Sequence, residues 1–278
     1  MSEMTTEGAA PASVWGAIGS GVVAGGRAVG RGAAAVGRAV ASFYGALDPD
    51  LKRHVVEAPL VGLTVLARPR REVEPLPDDG HRPVVLVHGL GGFPGNFFPL
   101  RSYLRLMGRR RTYAVPFPDG LTLDERVAHL RAFIAAVIER NGLPEGAQVD
   151  VVAHSLGGVL SRLAVQDPAT AARVATLVTL GTPHAGTSLA RFLKTPAVLA
   201  LRPDSPTLER LREQLPWRAG RGVPRLVCLW SPADLLLHPP TAALVDGAEN
   251  VEMPGFTHTS YLLHPRGFRE IHRALAAP

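Results

Sequence analysis

A chain of 278 residues that is 46% hydrophobic and 19% charged can bury a large core, which excludes an intrinsically disordered protein. Its single cysteine, Cys228, excludes a disulfide framework and a zinc site built mainly from thiolates, and within the apolar run RLVCLW it reads as a small buried hydrophobe. The formal charge is +6, but the arginines behind it are dispersed and no aromatic-and-basic signature accompanies them. The charge therefore points to a solvated basic surface, attractive to anionic lipid, and not to nucleic acid.

Residues 1–13 are small and polar with two acids and are expected to be disordered. A Gly/Ala-rich arm follows at 14–67. It carries small residues four apart (Gly21 and Gly25, Gly26 and Gly30, Ala33 and Gly37), a spacing that lets helices approach closely. Its charge-free run, Val14 to Gly26, falls short of the about 20 residues that cross a bilayer. Three readings stay open: an amphipathic helix in peripheral contact with a membrane, a helix packed on the main domain, or an unordered arm. With no signal-peptide pattern, a cytoplasmic location with membrane association is expected. The stretch LDPDLKRHVVEAPLVGLTVLA at 47–67 predicts a further helix behind an Asp cap, and the proline-rich, charged stretch 68–82 reads as a linker.

From residue 83 to 278 the pattern alternates. PVVLVHG, RTYAVPF, QVDVVAHS, RVATLVTLGTP, PRLVCLWSPAD and AENVEMPG read as strands. Between them lie helices near FFPLRSYLRLMG, in TLDERVAHLRAFIAAVIERNG and in GGVLSRLAVQD, with PRGFREIHRALAA closing the chain. In the second helix Val127, Leu130, Ile134, Val137 and Ile138 mark one face, and Gly142 is placed as its C-cap. Such alternation predicts an α/β fold with a mostly parallel sheet covered by helices on both faces.

The residues with chemical potential fall just after strands, where an α/β sheet places its sites. Ser155 follows VDVVAH and precedes a glycine-rich helix start, in Ala153-His154-Ser155-Leu156-Gly157. It reads either as an ordinary N-cap or as a nucleophile on a strained strand-to-helix turn, with alanine where the usual pattern has a first glycine. A serine nucleophile needs a base, and the base an acid that orients it. Asp234, ending a strand, and His258, in the loop GFTHTSY, supply them in the chain order Ser, Asp, His. Asp246 and Asp204 are rival acids and His264 a rival base. Oxyanion donors are expected at the N–H of Leu156 and, from the loop HGLGG, of Leu90. His154 and His184 are expected in supporting hydrogen bonds, and no H-x-x-x-H or H-E-x-x-H pair calls for a metal. Residues 185–220 form an insert with helical apolar spacing and read as a lid whose Leu189, Phe192 and Leu193, with Val198, Leu199 and Leu201, would contact an acyl chain.

Taken together, PVVLVHGLGG, VDVVAHSLGG, VTLGTPHAGT, SPADLLLHP and GFTHTSYLLHP resemble the α/β-hydrolase superfamily, in particular bacterial triacylglycerol lipases and esterases. The resemblance spans about 83–275 and extends to relatives that deacylate lipid anchors. It implies Ser155 as nucleophile, Asp234 as acid, His258 as base, and Leu90 and Leu156 amides as the oxyanion hole, with no cofactor. The leading expectation is a serine hydrolase acting on a small acyl ester or lipid. The same residues would also serve an acyltransferase or thioesterase, and a noncatalytic protein binding a membrane or partner is the third alternative.

Overall fold

Six short runs of aliphatic and β-branched residues pair into one parallel sheet in this computed structural model, which describes residues 49–64, 73–192, 195–220 and 222–277. The stretch 14–47 of the arm, and Leu193, lie outside the described residues. The chain divides into two units, Met1–Lys52 and Arg53–Pro278. Of the first, only the opening residues of helix α1 (Pro49–Leu63) are described; everything below concerns the second.

The strands are β1 (Val84–Val87), β2 (Thr112–Ala114), β3 (Val149–His154), β4 (Val174–Leu180), β5 (Arg225–Trp230) and β6 (Glu249–Glu252). Their order across the sheet is β2-β1-β3-β4-β5-β6, with every neighbouring pair parallel. Strands covered on both faces need apolar residues at every position, not alternate ones. This explains why β1 and β3 are buried along their whole length, whereas the edge strand β6 is mostly exposed and ends in charge. Alternate residues still serve opposite layers. Val85, Val87, Val151 and Ala153 pack with Leu130 and Ile134 of α3 (Leu123–Arg140) and Leu160 of α4 (Leu156–Ala164). Val84, Leu86, Val152 and Val178 pack with Leu100 and Leu104 of α2 (Phe98–Leu106) and Ile271 of α9 (Pro265–Ala276). Each such side chain contributes about 1.5–3 kcal/mol by leaving water.

Helix ends follow local chemistry. α3 starts at a reciprocal box, with Glu125 N donating to Thr122 Oγ1 at 3.3 Å and Thr122 N to Glu125 Oε2 at 2.8 Å. It stops at Gly142, whose N–H reaches Glu139 O while that of Leu143 reaches Ile138 O. Of the five residues assigned to its inner face, Val127, Leu130, Ile134 and Val137 are buried and Ile138 is partly so. The helix α5 (Pro168–Ala171) leads into β4. The insert after β4 contains a 3-10 turn at Ser188–Arg191 and the short helices α6 (Pro196–Leu199) and α7 (Pro206–Arg212), both opened by proline. A single turn, α8 (Ser260–Leu263), precedes α9.

At the amino end of β3, Asp150 is fully buried and paired to Arg82 at 3.0 Å and Arg109 at 3.7 Å. Residues Arg53–Leu63 of helix α1 fall in the same unit as the sheet. The helix is held by polar side chains, among them Arg53 Nη1 donating to Gly255 O at 2.5 Å, and such anchors leave no periodic trace in sequence.

Candidate active site

The strand order reverses at β1, with β2 on one side and β3 on the other. Open parallel sheets bind ligands outside the carboxyl ends of their strands at such a switch point. The loop His88–Gly92 leaves β1 there and Ser155 leaves β3 beside it.

Ser155 has φ 54° and ψ −124°, the only non-glycine residue with positive φ among the described residues. A conformation of this kind costs about 1–3 kcal/mol and persists only where its surroundings enforce it. Although it occupies the N-cap position of α4, its side chain makes no capping hydrogen bond, which separates it from an ordinary cap. Two glycines permit the turn. A Cβ on Gly157 would lie 2.4 Å from Val87 O and 2.8 Å from His88 O, and one on Gly89 would lie 2.8 Å from Ser155 Cβ. The loop after β1 therefore rests directly against the serine. Leu156 is the first residue of α4, so its N–H is one of the donors a helix start leaves unpaired, and Leu90 is half-exposed in the turn following Gly89.

The loops after β5 and β6 bring two further residues together. Asp234, with its side chain fully buried, accepts from His258 Nδ1 at 2.9 Å through Oδ2 and lies 3.1 Å from it through Oδ1. Leu236 N also donates to Asp234 Oδ1, at 3.1 Å, fixing the carboxylate. The rivals stand elsewhere: Asp204 and Asp246 are exposed, and His264 caps α9 by accepting from Arg266 N. Ser155 and His258 border one cavity of about 470 Å³, together with Gly89 and Leu90.

His154, next to the serine, donates from Nε2 to the backbone carbonyl of His258 at 2.7 Å, and the two rings lie 4.8 Å apart. Burial, with the neighbouring His258 ring, pushes the His154 imidazole down to about 3. It is a neutral donor that ties the loop after β6 to the end of β3.

A family model described as PGAP1-like alpha/beta domain matches residues 112–194. The mature lipase BlEst2 of Bacillus licheniformis superposes with a TM-score of 0.61 at 19% identity, over 74% of this chain and 97% of that one. Lipase B of Aspergillus fumigatus gives 0.58 at 15% identity over 72% of this chain, which spans only 54% of that protein. A Listeria innocua gene product gives 0.56 at 16% identity, over 71% and 95% of the two chains.

This chain has the α/β-hydrolase fold.

Within that fold the cavity wall is mainly apolar. Leu189, Val198 and Leu201 of the insert line it, with Leu236, Leu237 and Leu262 from the later loops. Of the six residues expected to meet an acyl chain, Leu189, Val198 and Leu201 line the cavity; Phe192, 81% exposed, and Leu199 are not among the lining residues, and Leu193 lies outside the described residues. Sequence reasoning missed the contribution of α1, whose Val61 and Gly62 also border the cavity. It missed the aromatic pair Phe93 and Phe97 too, although the apolar loop GFPGNFF carried a signal for them.

His184 does not border the cavity. It sits beneath the sheet's end with Thr179 Oγ1 3.0 Å from its Nε2 and Arg162 Nη1 3.5 Å from its Nδ1, and burial holds its ring well below the ordinary imidazole value. Burial likewise pushes the neighbouring Cys228 thiol up to about 12, which makes it inert near neutrality.

Proposed function

We propose that this chain is a serine-dependent carboxylic ester hydrolase acting on lipid-like acyl esters. The observation that carries the reading is Ser155, held at positive φ with its hydroxyl uncapped, on the same cavity as a histidine already bonded to a buried aspartate.

In this reading Ser155 Oγ attacks the ester carbonyl carbon and its proton passes to His258 Nε2. Asp234, on Nδ1–H, keeps the tautomer that leaves Nε2 basic and stabilises the imidazolium. The carbonyl oxygen, now negative, takes hydrogen bonds from the N–H groups of Leu90 and Leu156; losing one such donor typically costs about 3–4 kcal/mol of transition-state stabilisation. Collapse breaks the ester C–O bond and the alcohol leaves with the proton from His258. Water, deprotonated by the same imidazole, then attacks the acyl-serine, releasing the acid and restoring Ser155.

The substrate class follows from the wall. A cavity of about 470 Å³ whose wall includes Leu201, Leu236, Leu237 and Leu262 suits an apolar acyl chain. The insert 185–220 acts as a cap, since Leu189, Ala190, Val198 and Leu201 reach the cavity from it. Among the described residues no helix is long and apolar enough to cross a membrane. Labelling by a fluorophosphonate probe tests the reading: the wild type should label and Ser155→Ala should not. Equal labelling of both proteins would refute it.

A further inference from the structure

Helix α1 does more than wall the cavity. Its Glu57, partly buried, places one carboxylate oxygen, Oε2, among three hydroxyls of the loop after β6. Thr257 Oγ1 donates to it, as do Ser260 Oγ at 2.7 Å and Thr259 Oγ1 at 3.4 Å. These three donors flank His258 on both sides. Thr257 and Ser260 are buried and also hold one another, with Thr257 N donating to Ser260 Oγ at 2.9 Å and Ser260 N to Thr257 Oγ1 at 3.3 Å.

The loop needs such ties. β6 ends at Glu252 and α8 is a single turn starting at Ser260, so no regular ladder fixes the backbone at residue 258. An ionised carboxylate is acceptor-only with about four lone-pair sites, so one group can gather several hydroxyl protons, and its hydrogen bonds are stronger than neutral ones. The same helix is fixed at its far end, where Asn96 Nδ2, in the 3-10 turn Pro94–Phe97, donates to Thr64 Oγ1 at 2.9 Å and reaches Val61 O at 3.4 Å. One element thus links the loop that bears His258 to the 3-10 turn that follows the loop bearing Leu90.

We propose that Glu57 is a positioning residue: through Thr257 and Ser260 it sets the His258 imidazole relative to Ser155. This rests on the reading of His258 as the general base. Geometry of this kind is expensive to lose, since a misplacement of about 1 Å costs on the order of 100-fold in rate.

The test uses the full chain with p-nitrophenyl butyrate, comparing kcat, KM, thermal midpoint and fluorophosphonate labelling rate for wild type, Glu57→Ala, Glu57→Gln and Ser260→Ala. Glu57→Ala should lower kcat and the labelling rate by about 10- to 100-fold while KM stays within about twofold, because the cavity wall is intact. Glu57→Gln, which keeps an acceptor oxygen, should recover most of that loss. Ser260→Ala removes the same contact with Glu57 and also the acceptor of Thr257 N, so in the double variant the two losses should combine to less than the product of the single ones. A Glu57→Ala protein with kcat within twofold of wild type overturns the proposal, and so does a loss that only tracks the folded fraction. If Glu57→Ala does not fold, Thr257→Val and Ser260→Ala probe the same contact from the loop, and unchanged kcat in both overturns it. Failure of the underlying reading looks different: the wild type would not label, or Ser155→Ala would label equally.

Discussion

Acid should destabilise this protein through His154, and the size of the effect follows from its surroundings. The ring is buried, donates to His258 O at 2.7 Å, and has its ionisation pushed down to about 3, first by burial and then by the His258 ring. In the unfolded chain an imidazole takes up its proton near 6.5. Between pH 7 and pH 5 the unfolded chain therefore binds a proton at this position and the folded chain does not. Stability from keeping the ring neutral is complete above about pH 6.5, and is lost progressively as pH falls through about 3. From pH 7 to pH 5 the loss is about 2 kcal/mol. His154→Gln keeps an N–H donor for the carbonyl and cannot titrate. Urea unfolding followed by tryptophan fluorescence at both pH values should find the wild type losing about 2 kcal/mol more than the variant. His184, buried and shifted the same way, is present in both proteins and cancels. Equal losses in the two proteins would refute the reasoning.

Asp234→Asn preserves the shape of a fully buried side chain but offers His258 the wrong partner, so kcat should fall by roughly 10³- to 10⁴-fold with the thermal midpoint little changed; a steady-state comparison that finds less than a tenfold loss would contradict this. Gly157→Ala puts a methyl 2.4 Å from Val87 O, a backbone atom that cannot rotate away, and should destabilise by about 1–3 kcal/mol while lowering kcat; calorimetry and activity at wild-type levels would count against the packing described at this turn.

Much of the architecture was legible because its signals are local. Continuous apolar runs announce buried parallel strands, and Gly142 closes α3 where its sequence places the C-cap. Ser155, Asp234 and His258 were picked out by their places after strands, and the structure sets Asp234 against His258 and puts both Ser155 and His258 on one cavity. What sequence could not supply depends on long-range contact. Glu57 meets its hydroxyl partners about 200 residues later, and neither end carries a recognisable pattern. The apolar spacing of the insert marks candidate inward residues without saying which of them face the cavity. Leu189, Val198 and Leu201 reach the cavity while Phe192 is exposed. His154 read as a supporting residue, yet that it would hold the carbonyl of His258 followed only from the packing of two loops.

The central claim is that Ser155 forms an acyl-enzyme. Its most direct measurement is to mix the protein with p-nitrophenyl butyrate, quench in acid within milliseconds, and map the added mass by peptide mass spectrometry. The account predicts a butyryl adduct on the peptide containing Ser155, absent in Ser155→Ala, and accumulating in a burst of p-nitrophenol when deacylation is slow. An adduct on any other residue, or turnover that survives Ser155→Ala, would contradict it.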